Sequence, residues 1–315
     1  MTTIPSQWLV EASKRITSHI HHTPMQYDSQ LGTYLKWENR QLTGSFKVRG
    51  ALNKILSLSE REKERGLVTA SAGNHGQGVA LAGGLIGAQV VIFACEHAVP
   101  AKVEAMRSYG AEVRLVPGGY GDAEQAGLNF ACQNEMTWIS PYNDGKIIAG
   151  QGTLAMEVLH QLPTQGEFTW IVPVGGGGLL SGIGLALKAD KNASRRHKLV
   201  GVQSKASPFM HTLYYRGTQE GVVELPSLAD GLAGPVEEGS ITIPLVRRLA
   251  DQMVLVEEEQ IARAVRYAWE RYNQKLEGSA AAALAAVLSK TVVGQPAVII
   301  LSGGNIQPET FQQIL

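Results

Sequence analysis

The stretch Thr43-Gly44-Ser45-Phe46-Lys47-Val48-Arg49-Gly50 sets a lysine directly after an aromatic ring and encloses both between glycines. A protonated lysine is a poor nucleophile, and its ordinary pKa is about 10.4. Burial in an apolar or cationic pocket lowers that value and frees the amine. Phe46 is placed to supply an apolar wall and Arg49 a nearby positive charge. Gly44 and Gly50 let backbone approach a flat ligand. Alone, such a Gly-x-x-Lys would read as a surface turn. Three later stretches argue for a site: Ser71-Ala72-Gly73-Asn74-His75-Gly76, Gly175-Gly176-Gly177-Gly178-Leu179 and Ser302-Gly303-Gly304-Asn305.

The glycine run Gly175 to Gly178 follows an apolar strand, residues 170–174, and precedes a helix, residues 179–188. That context suits a phosphate cradled by backbone N–H groups. A P-loop needs Gly-Lys-Ser/Thr closing the turn, and here Leu179-Leu180 follow. A dinucleotide site wants an acidic residue near the end of the next strand, and that strand, residues 199–203, ends in Gln203. A single phosphate monoester remains. Residues 66–70 likewise read as a short buried strand running into Ser71 to Gly76. A strand, a glycine turn and a helix N-terminus form a natural anion site.

Together the four stretches resemble those of the fold-type II pyridoxal-phosphate enzymes, above all the threonine/serine dehydratases (ammonia-lyases) and serine racemases. The resemblance runs from about Thr23 to the C-terminus, with the motifs in the family's order. It implies pyridoxal 5'-phosphate as cofactor and an α/β fold of the tryptophan synthase beta-like kind. That fold has two open parallel-sheet domains with helices on both faces. Residues 1–47 and 144–315 would form the large cofactor-binding domain and residues 48–143 the small one.

The resemblance also assigns roles. Lys47 would hold the cofactor as a Schiff base and then serve as the catalytic base. Phe46 would lie near the ring, and Asn74 would meet the ring hydroxyl. Gly175, Gly176, Gly177, Gly178 and Leu179 would hold the phosphate. Ser71, Ala72, Gly73, Asn74 and His75 would bind the substrate carboxylate. Ser302 would face the ring nitrogen. A carboxylate there would keep that nitrogen protonated, whereas a neutral hydroxyl leaves it largely unprotonated and favours prompt loss of a β leaving group.

The implied reaction is α,β-elimination, converting L-threonine, L-serine or both to the 2-oxo acid and ammonia. A 3-hydroxyaspartate dehydratase, a serine racemase-like enzyme and a β-replacement enzyme are the alternatives within the family. A non-catalytic amino-acid or nucleotide binding protein of the same fold is the alternative outside it. Serine racemases carry a second serine where this chain has Ala72. Many racemase-like members carry an acidic cation ligand where this chain has Gln203, so no metal site is expected. The chain ends just beyond Ser302, which leaves no room for the regulatory domain of biosynthetic threonine dehydratases.

The elements that must position these residues alternate. Strands are expected over residues 33–38, 66–70, 89–94, 112–116, 137–140, 170–174, 199–203 and 298–301. Helices are expected over 6–22, 51–57, 79–86, 101–109, 121–134, 148–161, 179–188, 257–271 and 280–288. Repeated strand–helix units at this spacing argue for parallel sheets covered by helices. The turn-rich residues 141–145 mark the exit from one domain, and residues 205–240 read as loops.

Lys+Arg and Asp+Glu are both 28 in 315 residues, so the net charge is zero. No basic surplus points to nucleic acid and no polybasic run to a lipid surface. No run of about 18 apolar residues suggests a membrane span. The start, Met1 to Pro5, lacks the basic and apolar regions of a signal peptide. Cys95 and Cys132 sit beside apolar residues and read as two buried thiols in a reducing compartment. His19, His21 and His22, at a helix end without carboxylate partners, read as surface or packing residues. The expected protein is a cytoplasmic enzyme, a homodimer by resemblance, acting on a small hydroxy amino acid.

Overall fold

The computed structural model describes residues 4–294 and 296–315. Met1, Thr2 and Thr3, part of the stretch read for a signal peptide, lie outside the described residues, as does Gln295. In chain order the strands are β1 (Met25–Asp28), β2 (Thr33–Trp37), β3 (Leu67–Ala70), β4 (Val90–Cys95), β5 (Glu112–Val116), β6 (Thr137–Trp138), β7 (Gly166–Pro173), β8 (Arg195–Ser204), β9 (Gln252–Val256) and β10 (Ala297–Leu301). Six build one sheet, in the order β1-β2-β10-β7-β8-β9, and four build another, in the order β5-β4-β3-β6. Every pairing is parallel except that of β1 with β2. The α/β architecture of parallel sheets covered by helices agrees with the alternation in the sequence.

Register explains where a ligand must go. Leu301 pairs with Trp37 and Pro173 with Val202. The carboxyl ends of β10 and β7 therefore finish at one edge and deliver Ser302 and Gly175 there. Ligands of open parallel sheets bind outside those ends. The strands are buried throughout their cores because helices cover both faces: β10 is buried over its whole length, as a two-sided strand must be.

Helix Lys47–Leu56 starts at Lys47 itself, four residues earlier than expected. Its neighbour, helix Gly145–Gln161, approaches closely because Gly150 has no side chain. A Cβ there would stand 2.7 Å from the Arg49 carbonyl oxygen. Helix Ser6–Ile16 buries Leu9, Ala12 and Ile16 as expected but stops six residues early, in a 3-10 turn at Thr17–His19. His21 and His22 beyond it are exposed.

Arg49 does not do what its spacing suggested. Its guanidinium turns away from Lys47, donating to both oxygens of Glu38 at 2.7 and 2.8 Å and to Glu157 at 2.9 Å. Lys36 Nζ completes the group, 2.5 Å from Glu157 and 2.7 Å from the Thr23 carbonyl. All four charged side chains are buried. Two cations and two carboxylates neutralise one another there, so no free positive charge reaches Lys47 from Arg49.

Two further expectations are corrected. Residues 205–240 contain helix Phe209–Arg216, which buries Phe209, Met210 and Leu213; eight residues between Pro208 and Gly217 were too few to show a period. Cys132 is exposed and Cys95 only half-buried, both as free thiols. Cys132 lies on helix Tyr120–Gln133, whose inward face is Ala123, Gly127 and Ala131. Its apolar neighbours in sequence therefore point elsewhere. Among the described residues no helix is long and apolar enough to cross a membrane.

Candidate active site

Lys47 is the first residue of its helix, and two backbone contacts pin the turn before it. Phe46 N–H donates to the Ser302 carbonyl at 3.0 Å, and Gly304 N–H donates to the Gly44 carbonyl at 2.9 Å. Ser45 and Gly303 form an isolated antiparallel bridge between them. The first and last motifs, more than 250 residues apart in sequence, are thus stitched into one wall.

The Lys47 side chain is half-buried, and its Nζ donates to the Pro141 carbonyl at 3.1 Å. It sits 5.5 Å from the centre of the Phe46 ring. Loss of hydration lowers its pKa to about 8, against the opposing pull of the Glu277 carboxylate. Roughly a tenth of the amine is therefore unprotonated at pH 7, far more than for an ordinary lysine, as a nucleophile requires. Desolvation, with no help from Arg49, is the cause.

Gly176 and Gly178 lie against Tyr142, the residue after Pro141. Gly177 caps helix Gly178–Ala189 in the left-handed region, at φ +85°. A Cβ on Gly176 would stand 2.3 Å from the Tyr142 ring, and one on Gly177 2.9 Å from Val246. The absence of side chains leaves the N–H groups of the turn uncovered at a helix N-terminus, where the dipole favours an anion. Gly177→Ala is expected to lower stability by roughly 1–2 kcal/mol, since an L-residue is strained there; denaturant unfolding measures it.

The second motif, Ser71 to Gly76, opens helix Asn74–Leu85. Gly73 N–H donates to Ser71 Oγ at 3.1 Å. His75 is buried, its Nε2 3.1 Å from the Ile139 carbonyl. Burial first and the nearby Lys47 second push its pKa down to about 3, so it is neutral. Asn74 Oδ1 accepts from Asn305 at 2.7 Å, while its Nδ2 donates to Glu277 at 2.7 Å. Ser302 is buried just past β10.

The four motifs meet: Phe46 bonds Ser302, Asn74 bonds Asn305, and Gly176 packs on Tyr142, the residue after the Pro141 that Lys47 bonds. Three that were not singled out join them. Glu277, just before the helix expected over 280–288, has its carboxyl buried between Asn74 and Gly303. Lys102, on helix Pro100–Ser108, and Asp230, in the turn Asp230–Leu232, meet at 3.3 Å beside Gly73. A carboxylate directly before a run of small residues, Gly278-Ser279-Ala280, was the one local sign of Glu277. Gln203, where a cation ligand was in question, turns its Oε1 to the His211 N–H at 2.7 Å.

Comparison with known proteins identifies this site's class. The chain matches the family model described as pyridoxal-phosphate dependent enzyme over residues 16–303. It is 40% identical to an L-threonine ammonia-lyase of Thermotoga maritima, over 97% of this chain and 76% of that protein. Among solved structures it resembles a threonine deaminase isoform 2 of Solanum lycopersicum, with a TM-score of 0.88, 29% identity and coverage of 98% and 91%. It also resembles a serine racemase of Dictyostelium discoideum, with a TM-score of 0.86, 33% identity and coverage of 97% and 100%. The chain belongs to the pyridoxal-phosphate dependent enzymes.

The residues present fit that cofactor. An aldehyde needs a free amine, and Lys47 has one. A phosphate monoester needs uncovered donors, and the glycine turn has them. Several buried polar atoms nearby, among them Ser45 Oγ and His75 Nδ1, have no hydrogen-bond partner among the described residues. Such atoms are rare in folded proteins and call for a ligand or water.

Proposed function

We propose that the chain is an L-threonine/L-serine ammonia-lyase, forming 2-oxobutanoate or pyruvate and ammonia. The observation that carries this reading is the desolvated Lys47 amine beside a glycine turn at a helix N-terminus. The identity to L-threonine ammonia-lyase supports it. When bound, the cofactor's conjugated ring takes up the charge left as Cα loses its proton.

The chain's own residues do the rest. Lys47 would hold the cofactor, and its free amine would take the Cα proton as general base. The backbone N–H groups of Gly175 to Leu179 hold the phosphate. Ser71, Gly73, Asn74 and His75 hold the substrate carboxylate at the N-terminus of helix Asn74–Leu85, with Ala72 beside them. His75 serves through its backbone N–H, since the single ring N–H of the neutral imidazole, on Nε2, is taken by the Ile139 carbonyl. Phe46 lines the ring site, Asn74 meets its hydroxyl, and Ser302 offers a neutral hydroxyl to its nitrogen. The Cα proton and β-hydroxyl depart as water, and hydrolysis of the enamine releases ammonia. The two sheets support a division into a small domain, residues 48–143, and a large one, residues 1–47 and 144–315. A cytoplasmic homodimer completes the proposal, as the family resemblance implies.

The test is direct. With pyridoxal phosphate added, L-threonine should yield 2-oxobutanoate and ammonia in equal amounts. A protein that binds the cofactor but produces neither from threonine or serine would refute the assignment.

Elimination should far outrun racemisation. Racemisation needs proton delivery to the face opposite Lys47, and a positioned acid is worth about 10²–10⁴-fold. Ala72 has no proton to give. D-serine should therefore form from L-serine at least roughly 10²-fold more slowly than pyruvate, with Ala72→Ser raising the D-serine rate. Comparable rates in the unmodified enzyme would show that another acid serves that face.

A further inference from the structure

Glu277 is a buried titratable group that the elimination scheme leaves without a role. It is 5% exposed and lies just before helix Gly278–Leu288. Its N–H donates to the Gly303 carbonyl at 3.2 Å, tying it to the Ser302 motif. Its Oε1 accepts from Asn74 Nδ2 at 2.7 Å. Its space is reserved, since a Cβ on Gly303 would stand 2.4 Å from that oxygen.

The Asn74 amide is held from both sides. Asn305 Nδ2 donates to Asn74 Oδ1 at 2.7 Å and is itself fixed by the Thr43 carbonyl at 2.8 Å. Rotating the Asn74 amide by half a turn would bring its NH₂ against the Asn305 NH₂ and its oxygen against the Glu277 carboxylate. Both contacts are repulsive. Asn74 Nδ2 is left with one N–H to offer a ligand, and the group that takes it must be an acceptor.

We propose that Glu277 is a positioning residue: it locks Asn74 as a donor toward the cofactor ring oxygen and supplies the negative charge that supports Lys47 when Lys47 takes up a proton. The inference rests on the proposed lyase function. The charges around Glu277 come from four elements. Lys47 faces it from its helix, and Lys102 comes from helix Pro100–Ser108. Asp230 comes from the turn Asp230–Leu232, and His75, which is neutral, from helix Asn74–Leu85. Burial first and Asp230 second raise the carboxyl, to about 7, against the pull of Lys102, the Asn74 hydrogen bond and Lys47. Glu277 thus gains its charge as the pH rises through neutrality, where it can influence Lys47.

The signs follow. An anion beside an ammonium favours the protonated form, so its removal lowers the pKa of Lys47. Glu277→Gln keeps an acceptor for Asn74 and removes the charge. Its kcat–pH profile, which reports the enzyme–substrate complex, should move its acid limb down by roughly one pH unit. Its cofactor Kd, read by fluorescence titration, should stay within about 3-fold of wild type. Glu277→Ala removes the anchor as well, and its cofactor Kd should weaken roughly 10-fold.

Asn305→Ala frees the other side of the amide, so it should weaken cofactor binding without moving the kcat limb. It also keeps the anchoring half testable if circular dichroism finds the Glu277→Ala protein unfolded. An unshifted limb in Glu277→Gln overturns the charge role. Wild-type cofactor Kd in Asn305→Ala, and in Glu277→Ala if it folds, overturns the anchoring role. A wild-type enzyme with no Lys47-linked chromophore sinks the lyase reading instead, whatever the variants do.

Discussion

Lys47→Ala is expected to reduce 2-oxo acid formation from L-threonine by at least ~10³-fold, because one side chain serves as both cofactor anchor and base. The Schiff-base absorbance should vanish with it. Fold and melting temperature should change little, since Lys47 is only half-buried and its one hydrogen bond is to the Pro141 carbonyl. Losing a desolvated amine also removes the cost of burying it. Added primary amines should restore part of the turnover, because they can carry the proton that Lys47 carried. Near-normal deamination by this variant would remove Lys47 from the mechanism.

The largest effect on stability is expected from Arg49→Met. The substitution preserves volume but leaves Glu38 without its cation and Glu157 with Lys36 alone. Burial by itself would raise the Glu38 carboxyl, whereas Arg49 and Lys36 hold it below the ordinary carboxylate range. Breaking one partner out of a buried ionic group typically costs about 3–5 kcal/mol, mostly from the stranded charge. For a chain of this size that lowers Tm by roughly 10 °C. Removing the stranded charge too, in Arg49→Met with Glu38→Met, should recover a large part of the loss. Calorimetry on both variants measures it; a double variant no more stable than the single would place the cost in packing.

The same residue marks the limit of what sequence can give. Lys47, the glycine turn and Ser302 were legible because each follows an apolar strand or precedes a helix within a few residues. Their chemistry is written in local order. Arg49 was not, since its partners Glu38 and Glu157 lie 11 and 108 residues away. Charge neutralisation at that range leaves no local pattern. Glu277 escaped notice for the same reason, because its partner Asn74 is 203 residues distant. β1 was missed because a short edge strand, exposed at Gln26 and Tyr27 and antiparallel to β2, lacks the apolar run of its buried neighbours. Helix Thr242–Leu249 and β9 were also passed over, being short elements joined only by Ala250 and Asp251.

The most direct test of the account is to reduce the pyridoxal-phosphate holoenzyme with borohydride and map the pyridoxyl label by peptide mass spectrometry. The account predicts one labelled residue, Lys47, and a loss of 2-oxobutanoate formation from L-threonine in proportion to the label. A label on any other lysine, or full activity after complete labelling, would contradict it.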